Sequence, residues 1–242
     1  MKNEFKIFSH GGEDGILMYL FSKVGTTNHC LVEFGSGPAG HNSANLIINH
    51  KWNGLLMDAV KKHVNTSRDF YNEKLKLESN RVQIVQCFIT AENIEQVLYE
   101  NGIPNEIDLL TIDVDGNDYW IWKAIKNINP RVVVIEYNSS IRPNWCVTTK
   151  YDPKFDRHRK GNVFYHGASL SALIKLGLEK GYCFVGCDSE GYNAFFVRKD
   201  VAKGKIETSN ISDSFRPHAI RLQTVPLEKQ FEITDKLDFE EV

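Results

Sequence analysis

Runs of near-continuous valine, isoleucine and leucine alternate with stretches of helical periodicity over the first 140 residues. A glycine-rich turn follows the first run, and two further runs near residue 190 flank a turn-forming pentapeptide. The alternation predicts an α/β protein with a mostly parallel sheet covered on both faces. The right-handed crossover rule leaves a doubly wound sheet as the economical topology, and the late pair of runs adds a C-terminal antiparallel hairpin. Five early strands and two late ones make a Rossmann-like, seven-stranded sheet.

The first strand is Leu31–Phe34, which stops at glycines, and the second is Gly54–Asp58, which ends in an acid. Val82–Phe88, Ile107–Asp113 and Arg131–Glu136 are the third, fourth and fifth. Helices are expected near 42–50, 61–77, 91–101 and 117–127, where apolar residues recur at helical spacing. Residues 139–167 are rich in Arg, Lys, Asp, Tyr and Trp without a period, a length that suits a lid or binding loop better than a connection. A helix resumes at Ser169 and ends near Gly181. Tyr182–Cys187 and Asn193–Arg198, joined by Asp188-Ser189-Glu190-Gly191-Tyr192, form the hairpin. Residues 1–200 are thus expected to be one domain with a lid at about 139–167. Residues 201–242, polar and mixed in charge, are expected as an extension packed on it or in a homo-oligomer contact.

At 242 residues, 42% hydrophobic and 25% charged, the chain has the composition of a soluble globular protein. A net charge of -2 argues against nucleic acid as a partner. No apolar run approaches the ~20 residues that span a bilayer, so no membrane partner is expected. The start of the chain lacks the pattern of a secretory signal, and a cytoplasmic location is expected. Five scattered cysteines fit reduced, mostly buried thiols, and Cys183 and Cys187 lack the second pair a zinc ribbon needs.

The segment Val32-Glu33-Phe34-Gly35-Ser36-Gly37-Pro38-Ala39-Gly40 carries the most chemistry. A glycine turn between first strand and first helix lets backbone approach a ligand closely, as in dinucleotide and other nucleoside binders. Asp58, ending the second strand, is placed to hydrogen-bond ribose hydroxyls. Pro38 removes an N–H useful to pyrophosphate, and Glu33 suits a cationic, phosphate-free nucleoside better. The plain alternative is that Glu33 caps a helix and Asp58 is solvated.

Together with Thr111-Ile112-Asp113-Val114-Asp115-Gly116 and Ser9-His10-Gly11-Gly12-Glu13-Asp14-Gly15-Ile16-Leu17, this loop resembles the class I S-adenosylmethionine-dependent methyltransferases. Within them it is similar to the FkbM-type group, over about residues 9–200. The resemblance implies that residues 1–200 are a methyltransferase domain using S-adenosylmethionine (SAM). It implies that Glu33, Gly35, Ser36 and Gly37 line the methionine and ribose portion of the cofactor, that Asp58 holds the ribose, and that Cys87 and Phe88 border the adenine. Asp113 would stand near the reacting methyl. Glu13 is a further cofactor-binding candidate, and with Asp14 it equally suits a helix start.

An alcohol is weakly acidic, so O-methylation needs a base, a metal, or both. Asp113 and Glu136 end strands expected to be neighbours, about 4.8 Å apart, and serve as catalytic candidates. With Asn138 they are oxygen ligands suited to Mg²⁺ or another divalent cation. The competing arrangement has Asp113 on the cofactor, Glu136 as base or substrate ligand, and no metal. His166, at the end of the long loop, is a candidate general base or a helix-start histidine. Lys150–Lys160 with Arg142 concentrates positive charge that suits a phosphate- or nucleotide-bearing small-molecule acceptor. The expected function is O-methylation of a sugar, nucleotide-linked sugar or other small metabolite. The alternatives are an NAD(P)-dependent oxidoreductase, which uses the same type of loop, and an N-methyltransferase, which needs no strong base.

Overall fold

The computed structural model describes residues 3–38, 42–75, 80–157 and 161–242. Ala39, Gly40 and His41 of the glycine loop, and His158, Arg159 and Lys160 of the basic stretch, lie outside the described residues, as does the end of the helix expected to reach 77. In chain order the elements are α1 (Glu13–Val24), β1 (Cys30–Phe34), α2 (Ala44–His50), β2 (Asn53–Asp58), α3 (Lys61–Leu75) and β3 (Val82–Gln86). Then come α4 (Ile94–Glu100), β4 (Glu106–Ile112), α5 (Asp118–Ala124), β5 (Asn129–Glu136), β6 (Val147–Thr148) and α6 (Leu170–Glu179). β7 (Tyr182–Cys187), β8 (Asn193–Arg198), α7 (Lys199–Ala202), α8 (Ile211–Ser214), α9 (Ala219–Leu222), α10 (Leu227–Thr234) and β9 (Glu240–Glu241) complete the chain.

Seven strands form one sheet in the order β3-β2-β1-β4-β5-β8-β7. The first five are mutually parallel, and β8 runs antiparallel to both β5 and β7. The expected Rossmann-like sheet with a closing hairpin is what the chain adopts. Alternate residues of a strand point to opposite faces. Val32, Val133 and Ile135 enter one apolar cluster while Leu31, Val132 and Val134 enter the other. Both faces are therefore covered, which is why the central strands are largely apolar instead of alternating, while the edge strand β3 carries Gln83 and Gln86. Helices α2, α4 and α5 are shorter than their periodic stretches, and β3 stops at Gln86, two residues early.

The long loop from 139 onward is packed, not free. Phe155 lies against Gly116, where an added Cβ would come within 2.2 Å of its ring. Trp120 donates its indole N–H to the Thr149 carbonyl at 2.8 Å. Three of its cations already face carboxylates: Arg142 with Asp235 at 3.0 Å, Lys150 with Asp238 at 2.6 Å, and Arg157 with Asp115 at 2.6 Å.

The segment beyond β8 returns over the carboxyl ends of the strands. The Tyr137 hydroxyl donates to the Arg216 carbonyl at 2.6 Å and accepts from its N–H at 3.2 Å. Gly191 has φ of 76°, and a Cβ there would meet the Arg216 oxygen at 2.5 Å. Finally β9 pairs antiparallel with β6 in a separate two-stranded sheet. Among the described residues no helix is long and apolar enough to cross a membrane.

Candidate active site

The site forms where β1, β2, β4 and β5 end. Gly35 adopts φ of +67° directly beside β4, and the Asp113 N–H donates to the Phe34 carbonyl at 3.2 Å. A Cβ on Gly35 would fall 1.6 Å from the Asp113 oxygen, so only glycine fits. Gly37 donates its N–H to Asp58 Oδ2 at 2.9 Å, and the other Asp58 oxygen accepts from the Val60 N–H at 2.7 Å. His63 Nδ1 stands 3.2 Å from the same carboxylate. Above them opens a cavity of about 420 Å³, bounded by Gly35, Gly37, Asp58, Cys87, Phe88 and Asp113. Six of the residues expected to hold a cofactor therefore meet around one space.

Three others do not. Glu33 is 2% exposed, and its carboxylate accepts from the Asn42 N–H at 3.1 Å and from the Ser43 hydroxyl. It anchors the start of α2, and burial pushes its pKa up to about 7. Ser36 is buried, with its N–H on the Met57 carbonyl at 3.1 Å. Neither lines this cavity. Glu13 accepts from the Gly11 N–H at 2.6 Å and the Asn193 amide at 2.9 Å, and it borders a second cavity instead. Its neighbour Asp14 receives the N–H groups of Ile7, Phe8 and Ser9 on a single oxygen, which clamps the chain before α1.

The second cavity, about 530 Å³, has Glu13, Asn42, Tyr192, Asn193, His218 and Ile220 in its walls. His10, Asp113 and Glu136 line both cavities. Asp113 and Glu136 meet because the β4–β5 register pairs Ile112 with Ile135, which places the next residue of each strand side by side. Oxygens of Asp113, Asp115 and Glu136 all lie within 4.8 Å of one another. Asp115 reaches this position through a left-handed backbone, φ 59°, in a loop whose Val114 and Gly116 amides donate to buried Asp118. Burial drives the Asp113 pKa well up, and the adjacent Glu136 adds to it. Burial likewise pushes Glu136 to about 8, reinforced by Asp115 and Asp118, while Arg157 and Arg221 pull it back.

Two expectations are corrected here. Asn138 does not join the carboxylates: its amide nitrogen donates to the Phe164 and His166 carbonyls, and its oxygen accepts from Ser140 N–H at 3.0 Å and Arg221 at 3.2 Å. Asp115 takes its place in the oxygen cluster. His166 is beside Glu136, at 3.9 Å, yet it is fully buried and its Nε2 is bound to Arg221 at 2.8 Å. Burial, then the neighbouring Arg221, hold its pKa well below the ordinary histidine value. An imidazole whose accepting nitrogen already faces a guanidinium is not a free general base.

Residues the sequence reading missed are Asp115, His63, Tyr192, His218 and Arg221. His218 packs edge-on against Tyr192 with ring centroids 4.7 Å apart. Asp115 lies within the quoted Thr111–Gly116 motif, and His63 lies just beyond Asp58. Arg221 and His218 belong to the polar end of the chain, where no motif marks them.

The family model of the methyltransferase FkbM domain matches residues 24–184. No curated protein matches the chain. Among solved structures, the magnesium protoporphyrin IX methyltransferase of Synechocystis PCC 6803 with bound SAM aligns over 77% of each chain at 12% identity, TM-score 0.49. A SAM-dependent methyltransferase from Clostridium acetobutylicum ATCC 824 aligns over 78% of this chain and 92% of that one, at 10% identity and TM-score 0.48. An O-methyltransferase from Bacillus cereus in complex with S-adenosylhomocysteine (SAH) aligns over 75% of this chain and 77% of that one, at 19% identity and TM-score 0.45.

Proposed function

The chain belongs to the FkbM methyltransferase family and is a SAM-dependent methyltransferase, and from that premise we propose that it methylates a hydroxyl of a sugar, nucleotide-linked sugar or other small metabolite, with Glu136 as the base. The observation that carries this reading is that two cavities share one wall, made of His10, Asp113 and Glu136. One cavity takes the cofactor and the other the acceptor, so the acceptor oxygen meets the methyl group beside a carboxylate.

The first cavity suits a sulfonium nucleoside. Among the described residues its ionisable lining is Asp58, Asp113, Asp115 and Glu136 with His10, His63 and Cys87, and it contains neither Lys nor Arg. Pyrophosphate would face those acids without a cation, which weighs against NAD(P). Gly35, Gly37 and Gly40 do keep the G-x-G-x-x-G spacing of dinucleotide binders, so the charge of the lining, not the spacing, separates the two. Asp58 would hold the ribose hydroxyls, Cys87 and half-exposed Phe88 would border the adenine, and Asp113 would face the sulfonium. Bound there, SAM supplies a methyl group on a cationic sulfur.

Glu136 has the pKa a base needs. At about 8 it lies near working pH, and a positive charge in the neighbouring cavity favours its ionised form. It accepts the hydroxyl proton as the acceptor oxygen attacks. An amine acceptor would not require that base, so the placement of Glu136 favours oxygen. Arg142, Lys150 and Arg157 already face carboxylates, so a phosphate on the acceptor would have to compete with those carboxylates for them.

A second reading rests on the cluster of Asp113, Asp115 and Glu136 oxygens, a set of hard donors that suits Mg²⁺. Calorimetric titration with SAH, NAD and NADP, with and without Mg²⁺, tests both. The proposal expects saturable SAH binding alone, and full turnover after EDTA treatment. NAD or NADP binding in place of SAH would overturn the cofactor assignment. Turnover that is lost with EDTA and restored by Mg²⁺ would move the chemistry to the metal reading.

A further inference from the structure

Arg221 lies in α9, 37 residues beyond the family-matched span, which ends at 184. It reaches back to the catalytic wall and binds three side chains there: Asn138 Oδ1 at 3.2 Å, Ser140 Oγ at 3.1 Å and His166 Nε2 at 2.8 Å. A guanidinium has donors only, so His166 Nε2 must accept, and the proton of a neutral imidazole must sit on Nδ1. That Nδ1 stands 3.9 Å from Glu136 Oε2. Both atoms are buried, and neither has a hydrogen-bond partner. A closure of about 1 Å would turn this approach into a hydrogen bond.

We infer that Arg221 is a positioning residue for methyl transfer: it fixes His166 in the tautomer that aims an N–H at Glu136 Oε2, leaving the other carboxylate oxygen for the acceptor. This deepens the proposed role of Glu136 and rests on it. The supports of the arrangement are themselves built in. Asn138 holds the His166 carbonyl with its amide nitrogen and Arg221 with its oxygen. The backbone leading to α9 is pinned by the Tyr137 hydroxyl at Arg216 and by the Ala219 N–H on the Glu190 carbonyl at 2.8 Å. The His218 ring accepts the Arg221 N–H at 3.3 Å, which closes the first turn of α9. Asn138 and His166 therefore act through Glu136 instead of binding metal or removing the proton themselves.

The test is nitrogen NMR of ¹⁵N-histidine-labelled full-length protein at pH 7, together with the side-chain carboxyl resonance of Glu136 in ¹³C-glutamate-labelled protein. In the wild type His166 should show the neutral Nδ1–H tautomer. Arg221→Met, which removes the donor, should shift the population to the Nε2–H tautomer and move the Glu136 resonance. Arg221→Gln, which keeps an amide donor without the charge, should retain the Nδ1–H form. An imidazolium or an Nε2–H tautomer in the wild type would overturn the inference, as would an unchanged His166 spectrum in Arg221→Met. A tautomer change that leaves Glu136 unmoved would also overturn the link to the carboxylate. SAH calorimetry on each variant separates the cases: a folded wild type that shows the tautomer but binds no SAH defeats the cofactor assignment and leaves only the Arg221-set tautomer of His166 standing.

Discussion

Asp58 meets two backbone amides from opposite sides, Gly37 and Val60, and so its carboxylate is fixed before any ligand arrives. It lines the first cavity, where, on the proposed reading, ribose hydroxyls would be donors to it. Asp58→Ala should weaken SAH about 10- to 100-fold by calorimetry, since a charge-assisted hydrogen bond is worth about 1.5–3 kcal/mol. Glu136 lends itself to a kinetic test. A base must be unprotonated, so kcat/KM with an accepted substrate should rise with pH and level off above about 8. Glu136→Gln should lose about 10²–10⁴-fold in rate and flatten that profile while still binding SAH. Three acids singled out in the sequence, each with a helix start as its alternative role, share one physical trait. Glu33, Glu13 and Asp14 all receive local N–H groups at a helix start, and there a carboxylate is equally at home with or without a ligand.

β4 and β5 bring a different carboxylate to each of their ends. At the carboxyl ends of the strands, parallel register alone sets Asp113 beside Glu136. Near the opposite end Asp108, fully buried, accepts the Thr27, Asn28 and His29 N–H groups at 2.7, 3.0 and 2.7 Å. It staples the turn between α1 and β1 to the centre of the sheet. Asp108→Ala should cost about 2–4 kcal/mol in urea unfolding, because three amides lose their acceptor at once. The strands were legible because a strand buried on both faces leaves a continuous apolar run. Helix limits were less so: α5 starts at Asp118 with its side chain turned back to hold the Val114 and Gly116 amides, a loop contact that periodicity does not register.

Across the whole molecule, buried carboxylates outweigh histidines in the pH dependence of stability above pH 6.5. Burial raises Glu33 and Asp188 to about 7 and Glu136 to about 8. In this range the folded state keeps protons that the unfolded state has released, so stability falls as pH rises through these values. The histidines whose pKa is lowered act the other way, but only below their ordinary value: partly buried His218 is pushed down to about 4, and its stabilising contribution fades as pH drops below 6.5. The ligand-free protein should therefore lose thermal stability from pH 6.5 to 8, as measured by calorimetry. A Tm that is flat or rises over that window would show that these acids are ionised in the fold.

The sequence by itself determined the sheet, the glycine turn against Asp113, and the meeting of Asp113 with Glu136. Each follows from local periodicity or from the register of neighbouring parallel strands, which a one-dimensional pattern encodes. The second cavity, the exclusion of Asn138 from the oxygen cluster and the union of Arg221 with His166 were decided by tertiary structure alone. Those contacts join residues 55 to 83 positions apart. A single arginine on a polar stretch carries no period to reveal its partner. Its place is set by how the chain's end packs over the strands, and the same packing takes the Asn138 oxygen, brings His218 and Ile220 into the wall of the second cavity and binds the histidine.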